Sequence, residues 1–144
     1  MIVPDANLLI YAYDSKSDLQ PSASRWLRQI LSGPDPVGFT WLSIGAFVRI
    51  STNLTLRNHL PMAVATQIVD EWLTRRVVRL IVPGDGHWAL LRNMLIAGRV
   101  QGPTVTDAQL AALTIEFGGI LYTADRDFAR FPGLRWVNPL EVIP

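Results

Sequence analysis

The sequence contains no cysteine, a single lysine (Lys16) and two histidines, His59 and His87. Without cysteine there is no disulfide and no thiolate metal site, so any bound metal must be held by carboxylate or imidazole. With Lys16 far from the chain's late strands, a phosphotransfer receiver domain is excluded, because that chemistry needs a lysine late in the sheet. A dehalogenase-type phosphatase also fails: it needs an acid two residues after its nucleophile, and the residue two after Asp5 is Asn7. No apolar run approaches the ~18 residues that cross a bilayer. Met1-Ile2-Val3-Pro4-Asp5 has neither the basic nor the apolar region of a signal peptide, so a cytoplasmic location is expected.

What the chain does contain is a large apolar fraction and many arginines. Hydrophobic residues make up 49% of 144 residues and charged residues 17%, which suits one compact domain spanning residues 1–144. Twelve of the 13 basic residues are arginine, although the formal net charge is only +1. Arginine's planar fork matches phosphate, but an arginine-rich genome explains the bias equally well, so position carries the argument.

Short apolar runs alternate with segments of helical periodicity. Strands are expected at Ile2-Val3, Val37-Gly38-Phe39, Val77 to Val82 and Ile120-Leu121-Tyr122, with Val137 as a last edge strand. Helices are expected over Leu8 to Tyr13, Ser22 to Leu31, Ser43 to Ser51 and Pro61 to Thr74. Two more follow, one after Gly86 with Trp88, Leu91 and Leu95 buried, and one from Asp107 to Phe117 capped by Thr106. The five tryptophans read as packing or dimer contacts. This alternation predicts an α/β domain with a short, mainly parallel, twisted sheet of about four or five strands, flanked by helices on both faces. Active sites in such sheets lie beyond the carboxyl ends of the strands.

Four aspartates fall where that rule places a site. Asp5 ends the first strand, Asp125 follows Ile120-Leu121-Tyr122, Asp127 lies two residues on, and Asp107 opens the helix leading into that strand. Each has a local explanation. Asp5 could form an Asx-turn, Asp107 could complement a helix dipole, and Asp127 could cap a turn over Phe128 to Phe131. Their shared position at strand ends favours a site. Converging carboxylates in apolar surroundings repel one another, and an oxygen-only donor set relieved by a divalent ion points to Mg²⁺ or Mn²⁺. Asn7 and Thr123 flank the acids and would orient a carboxylate or a metal-bound water, and Ser43 is a further candidate. Arg126 and Arg130 lie beside the acids and are candidates for RNA contact. Arg49 and Arg57 flank the helix after the second strand, and Arg75, Arg76 and Arg79 read as a complement to a helix C-terminus. His87 reads as a packed or capping residue rather than a base.

At these residues the chain resembles the PIN-domain family. Asp5-Ala6-Asn7-Leu8-Leu9-Ile10-Tyr11-Ala12 is similar to its opening motif, Thr106-Asp107-Ala108-Gln109-Leu110-Ala111-Ala112-Leu113 to its third-acid helix, and Thr123-Ala124-Asp125-Arg126-Asp127-Phe128 to its closing motif. Phe131-Pro132-Gly133-Leu134 and Asn138-Pro139-Leu140 resemble the VapC toxins of actinobacteria. The resemblance implies a PIN-like fold and an Mg²⁺-dependent endoribonuclease that forms a homodimer and is neutralised by a VapB-type antitoxin. It also implies catalytic Asp5, Asp107 and Asp125, with these three and Asp127 as metal ligands. One position departs from the pattern. In Ser43-Ile44-Gly45-Ala46-Phe47-Val48-Arg49, Ala46 stands where the family commonly has glutamate. At most one weakly held ion is therefore expected in the free protein, with a catalytically degenerate binding module as the rival function.

Overall fold

A computed structural model describes residues 1–141. Strands β1 (Ile2–Pro4), β2 (Val37–Phe39), β3 (Val78–Leu80), β4 (Ile120–Tyr122) and β5 (Trp136–Val137) form one sheet in the order β3-β2-β1-β4-β5, parallel throughout. The helices are α1 (Ala6–Tyr13), α2 (Gln20–Ser32), α3 (Trp41–Ser51), α4 (Met62–Thr74), α5 (His87–Ala97) and α6 (Val105–Glu116). Short 3₁₀ turns at Gly102–Thr104 and Arg126–Arg130 complete the chain's regular structure. Among the described residues no helix is long and apolar enough to cross a membrane.

The central strands β1, β2 and β4 are largely buried, and the pleat divides their residues between two cores, while β3 and β5 lie at exposed edges. Val37, Phe39 and Val78 point into the first core with Leu8, Leu9, Trp26, Phe47 and Trp72 from α1 to α4. Val3 and Leu121 point the other way, into a second core with Leu91, Met94, Leu110, Ala111 and Leu113 from α5 and α6, closed by Phe128 and Phe131. Trp72 centres the first core: it stacks on Phe39 at 5.2 Å between ring centroids, meets Phe47 at 4.7 Å, and its indole N–H donates to the Tyr13 hydroxyl at 3.2 Å.

Helix boundaries follow capping chemistry that apolar periodicity does not register. Thr40 caps α3, its hydroxyl accepting from the Ser43 N–H at 3.1 Å, so the helix starts at Trp41 rather than Ser43. At the far end of α6, Gly118 has φ +64° and its N–H donates to the Ile115 carbonyl while Gly119 N–H donates to Thr114. This is a Schellman turn, and it reverses the chain directly into β4. Helix α6 itself begins at Val105, with Thr104 and not Thr106 at its boundary, which puts Asp107 inside the first turn. Trp88 is not in the core. It is 63% exposed, as Trp41 is at 57%, while Leu91 is buried and Leu95 only partly so. Trp88 opens α5 on its outward side, and the buried stripe starts one turn later.

Removing the central indole leaves a cavity that its ring neighbours cannot fill. Trp72→Ala is expected to cost about 3–5 kcal/mol of unfolding free energy in urea titration, against well under 1 kcal/mol for an exposed substitution such as Asp70→Ala.

Candidate metal centre

The sheet order places the first strand between β2 and β4, so the chain winds outward from β1 in both directions. The switch lies between the carboxyl ends of β1 and β4, where a crevice opens in this topology. Asp5 and Thr123 are the residues that leave those two strand ends.

Asp5 caps α1, and its two carboxylate oxygens have separate partners. Oδ1 accepts from the Ala6 N–H at 2.7 Å, and Oδ2 accepts from the Thr123 hydroxyl at 2.7 Å. Thr123, fully buried, serves as a hub: its oxygen accepts from the Asn7 side-chain amide at 3.2 Å and from the Asp125 N–H at 3.0 Å. Asn7 returns a bond across the crevice by accepting from the Ala124 N–H at 3.4 Å. The Asp125 carboxylate then caps the following 3₁₀ turn by accepting from the Asp127 N–H at 2.9 Å. The capping role considered for Asp127 thus belongs to Asp125, and Asp127 is exposed at the rim.

Asp5 and Asp107 line one cleft of about 230 Å³ together with Ser43, Ala46, Arg49 and Thr106. Burial pushes the Asp5 carboxyl up to about 6; the Thr123 and Ala6 bonds pull it down, and the charges of Asp107 and Asp125 push it further up. Asp107 is raised for the same leading reason, with Asp125 and Asp127 adding to the shift and Arg130 opposing it. Asp5, Asp107 and Asp125 are therefore within electrostatic reach of one another, with Asp127 and Arg130 beside Asp107. Even so, among the described residues no three acidic or imidazole side chains stand close enough to enclose an ion. The donor set is all oxygen, open to solvent and short of neutralising charge. That set fits a hard cation that keeps several of its waters, and it does not fit a closed protein cage.

The other candidates separate clearly. Arg126 makes an exposed ion pair with Glu141 at 2.8 Å. Ser43 is buried at the cleft wall and accepts from the Thr40 hydroxyl at 3.2 Å. Arg76 and Arg79 lie by Pro36 at the amino end of the strands, the edge opposite the acids. His87 pairs with Glu116 at 3.1 Å, and the second Glu116 oxygen accepts from the Gly84 N–H at 2.9 Å, so the pair clamps the loop before α5 to the end of α6. Sequence spacing does not join residues 29 positions apart. Arg49 as a cleft residue was equally hidden, although its position three residues after Ala46 puts both on one helix face.

Among proteins of known sequence, the chain is similar to ribonuclease VapC37 of Mycobacterium tuberculosis, 39% identical over 140 residues that cover 96% of this chain and 97% of that protein. Two solved structures share the fold: VapC20 of Mycobacterium tuberculosis, described as a sarcin-ricin-loop-cleaving toxin (TM-score 0.68, 20% identity, 94% of this chain and 99% of that one), and VapBC2 of Rickettsia felis bound to a promoter DNA fragment (TM-score 0.69, 16% identity, 96% and 98%). No family model matches the sequence.

An acid whose folded-state pKa lies above its unfolded value holds its proton more tightly in the folded protein. Folding is then favoured where the proton is on, and that advantage is lost as pH rises from 3.8 to about 6. The loss is at most about 3 kcal/mol, less after the water in the cleft screens the charge. In thermal melts with chelator present, Asp5→Asn is expected to gain on the wild type across that window and to hold its gain above pH 6. A constant difference between the two proteins from pH 4 to pH 8 would contradict the assignment.

Proposed function

The chain belongs to the VapC ribonuclease family, and on that footing we propose that it is a metal-dependent endoribonuclease, the toxin of a toxin–antitoxin pair. The observation that carries this reading is that Asp5 and Asp107 line one cleft, with the charge of Asp125 acting on both. Asp5 and Asp107, which line one cleft, would hold an Mg²⁺ or Mn²⁺ ion, with Asp125 adjoining. Bound there, the ion would supply an activated water and polarise the scissile phosphodiester.

The chain's own contribution is to keep the carboxylates ready. The Ala6 N–H and the Thr123 hydroxyl fix both Asp5 oxygens, so the carboxylate keeps one orientation whether or not its proton is present. Asn7 and the Asp125 N–H hold Thr123 in turn. Because Asp5 ionises near pH 6, a cation competes with its proton below that value, and binding strengthens as pH rises through it. Arg130 beside Asp107 offers a positive group to RNA phosphate at the rim.

A VapB-type antitoxin is the proposed protein partner, and a homodimer the proposed assembly. Trp41 and Trp88 are large exposed aromatics; Trp41 lines an apolar hollow with Leu42, Pro83 and His87, next to which Trp88 follows in the chain. Uncovered aromatic surface of this size is characteristic of an interface between copies. The proposed dimer contact centres on the start of α3 and α5. One observation favours a second reading, a binding module without catalysis. Ala46 lines the cleft where the family commonly has glutamate, and no closed set of three ligands is formed.

Cleavage of single-stranded RNA separates the two. The expected result is cleavage that requires Mg²⁺ or Mn²⁺ and stops with chelator. Asp5→Asn and Asp107→Asn should each slow it by on the order of a hundredfold, and Asp127→Asn by much less. RNA binding without cleavage under any divalent ion would establish the second reading, and cleavage indifferent to chelator would exclude the first.

A further inference from the structure

The cleft contains one cation that the acids do not neutralise. Leu42, Ala46 and Arg49 recur at helical spacing along α3, and all three line the cleft together with Asp5 and Asp107. Arg49 is exposed, and among the described residues it makes neither an ion pair nor a side-chain hydrogen bond: the only ion pairs are His87–Glu116 and Arg126–Glu141. It is not among the groups that act on the Asp5 or Asp107 carboxyls, whereas Arg130 is. Arg49 thus shares the cleft with Asp5 and Asp107 as an unpaired cation.

Ala46 is what leaves it unpaired. Residues three apart on a helix are neighbours, and an acid at position 46 would be within reach of Arg49. With a methyl group there, Arg49 has no acid beside it on its own helix face. A cleft lined by acids and by an unpaired arginine fits an anion that a metal ion would bridge to the acids and that the arginine fork would bind directly. A phosphodiester has the two non-bridging oxygens that such a fork binds in pairs.

We infer that Arg49 binds the non-bridging oxygens of the RNA phosphate seated in the cleft, and that Ala46 serves to keep it available for that contact. This assignment rests on the ribonuclease reading of the cleft. It makes Arg49 a substrate-binding residue on α3, a helix that otherwise offers the cleft Leu42, Ser43 and Ala46. It also gives the missing acid a consequence: fewer charges to hold metal, one more to hold phosphate.

The test is fluorescence anisotropy of a short, labelled, mixed-sequence single-stranded RNA, titrated in chelator at several salt concentrations, beside Mn²⁺ calorimetry. Arg49→Ala is expected to weaken RNA binding roughly tenfold at low salt, to reduce the slope of log affinity against log salt by about one, and to leave Mn²⁺ affinity unchanged. Arg49→Lys should restore the slope but only part of the affinity, because it keeps the charge and loses the fork. Ala46→Glu should tighten Mn²⁺ and weaken RNA together. Wild-type RNA affinity and slope in Arg49→Ala would overturn the assignment, as would Ala46→Glu tightening Mn²⁺ with no loss of RNA binding. If Asp5→Asn abolishes metal-dependent cleavage while Arg49→Ala behaves as wild type, the ribonuclease reading stands and the Arg49 role alone falls. A wild-type protein that neither binds nor cleaves RNA removes both.

Discussion

The hydrogen bond from the Thr123 hydroxyl to the Asp5 carboxylate is the contact on which the rest of the site depends. It spans 118 residues of sequence and ties together the two strand ends where the sheet changes winding direction. A carboxylate at that point is shielded from water by the cores on either side, and burying its charge is costly unless hydrogen bonds or a cation offset the loss. Two donors, the Ala6 N–H and the Thr123 hydroxyl, offset part of it. The remainder shows as a carboxyl that keeps its proton up to about pH 6. A group left in that condition has a strong preference for a cation, so its raised pKa and its proposed role as a ligand have one cause.

The fold produces this arrangement with little freedom. Parallel strands buried on both faces require helices on both sides, and their connections must emerge at the carboxyl edge. Strand β1 is central, so its last residue is bordered by β2 on one side and β4 on the other. The Schellman turn at Gly118 and Gly119 delivers α6 into β4, which brings Asp107 at the head of that helix and Asp125 beyond the strand to the same edge. The two aromatic and aliphatic cores pack against the sheet on either side of this edge.

Much of this was legible in the sequence because it depends on period and order. Apolar runs at Ile2-Val3, Val37 to Phe39 and Ile120 to Tyr122 mark the central strands, and the acids that follow them are placed by the α/β rule alone. What escaped was decided by hydrogen bonds between side chain and backbone. Thr40 starts α3 two residues before its apolar stripe, and Asp125 takes the cap that the spacing around Asp127 suggested. Trp88 fits a helical core pattern and yet faces outward, because a tryptophan at the head of a helix can lie on either side of it. Arg126 and Arg130 are adjacent to the same acids in sequence, but Glu141 captures the first and Asp107 feels the second. The Glu116 clamp on Gly84 and His87 joins segments that no local pattern connects.

The central claim is that Asp5 is held, half-ready to ionise, by Thr123. The most direct measurement is a carbon-detected NMR titration of the Asp5 carboxyl in the metal-free protein, repeated in Thr123→Val. The account predicts a midpoint near 6 in the wild type and a higher one in the variant, since the lost hydroxyl had favoured the charged form. A wild-type midpoint near 3.8, or a variant midpoint that moves down, would contradict it.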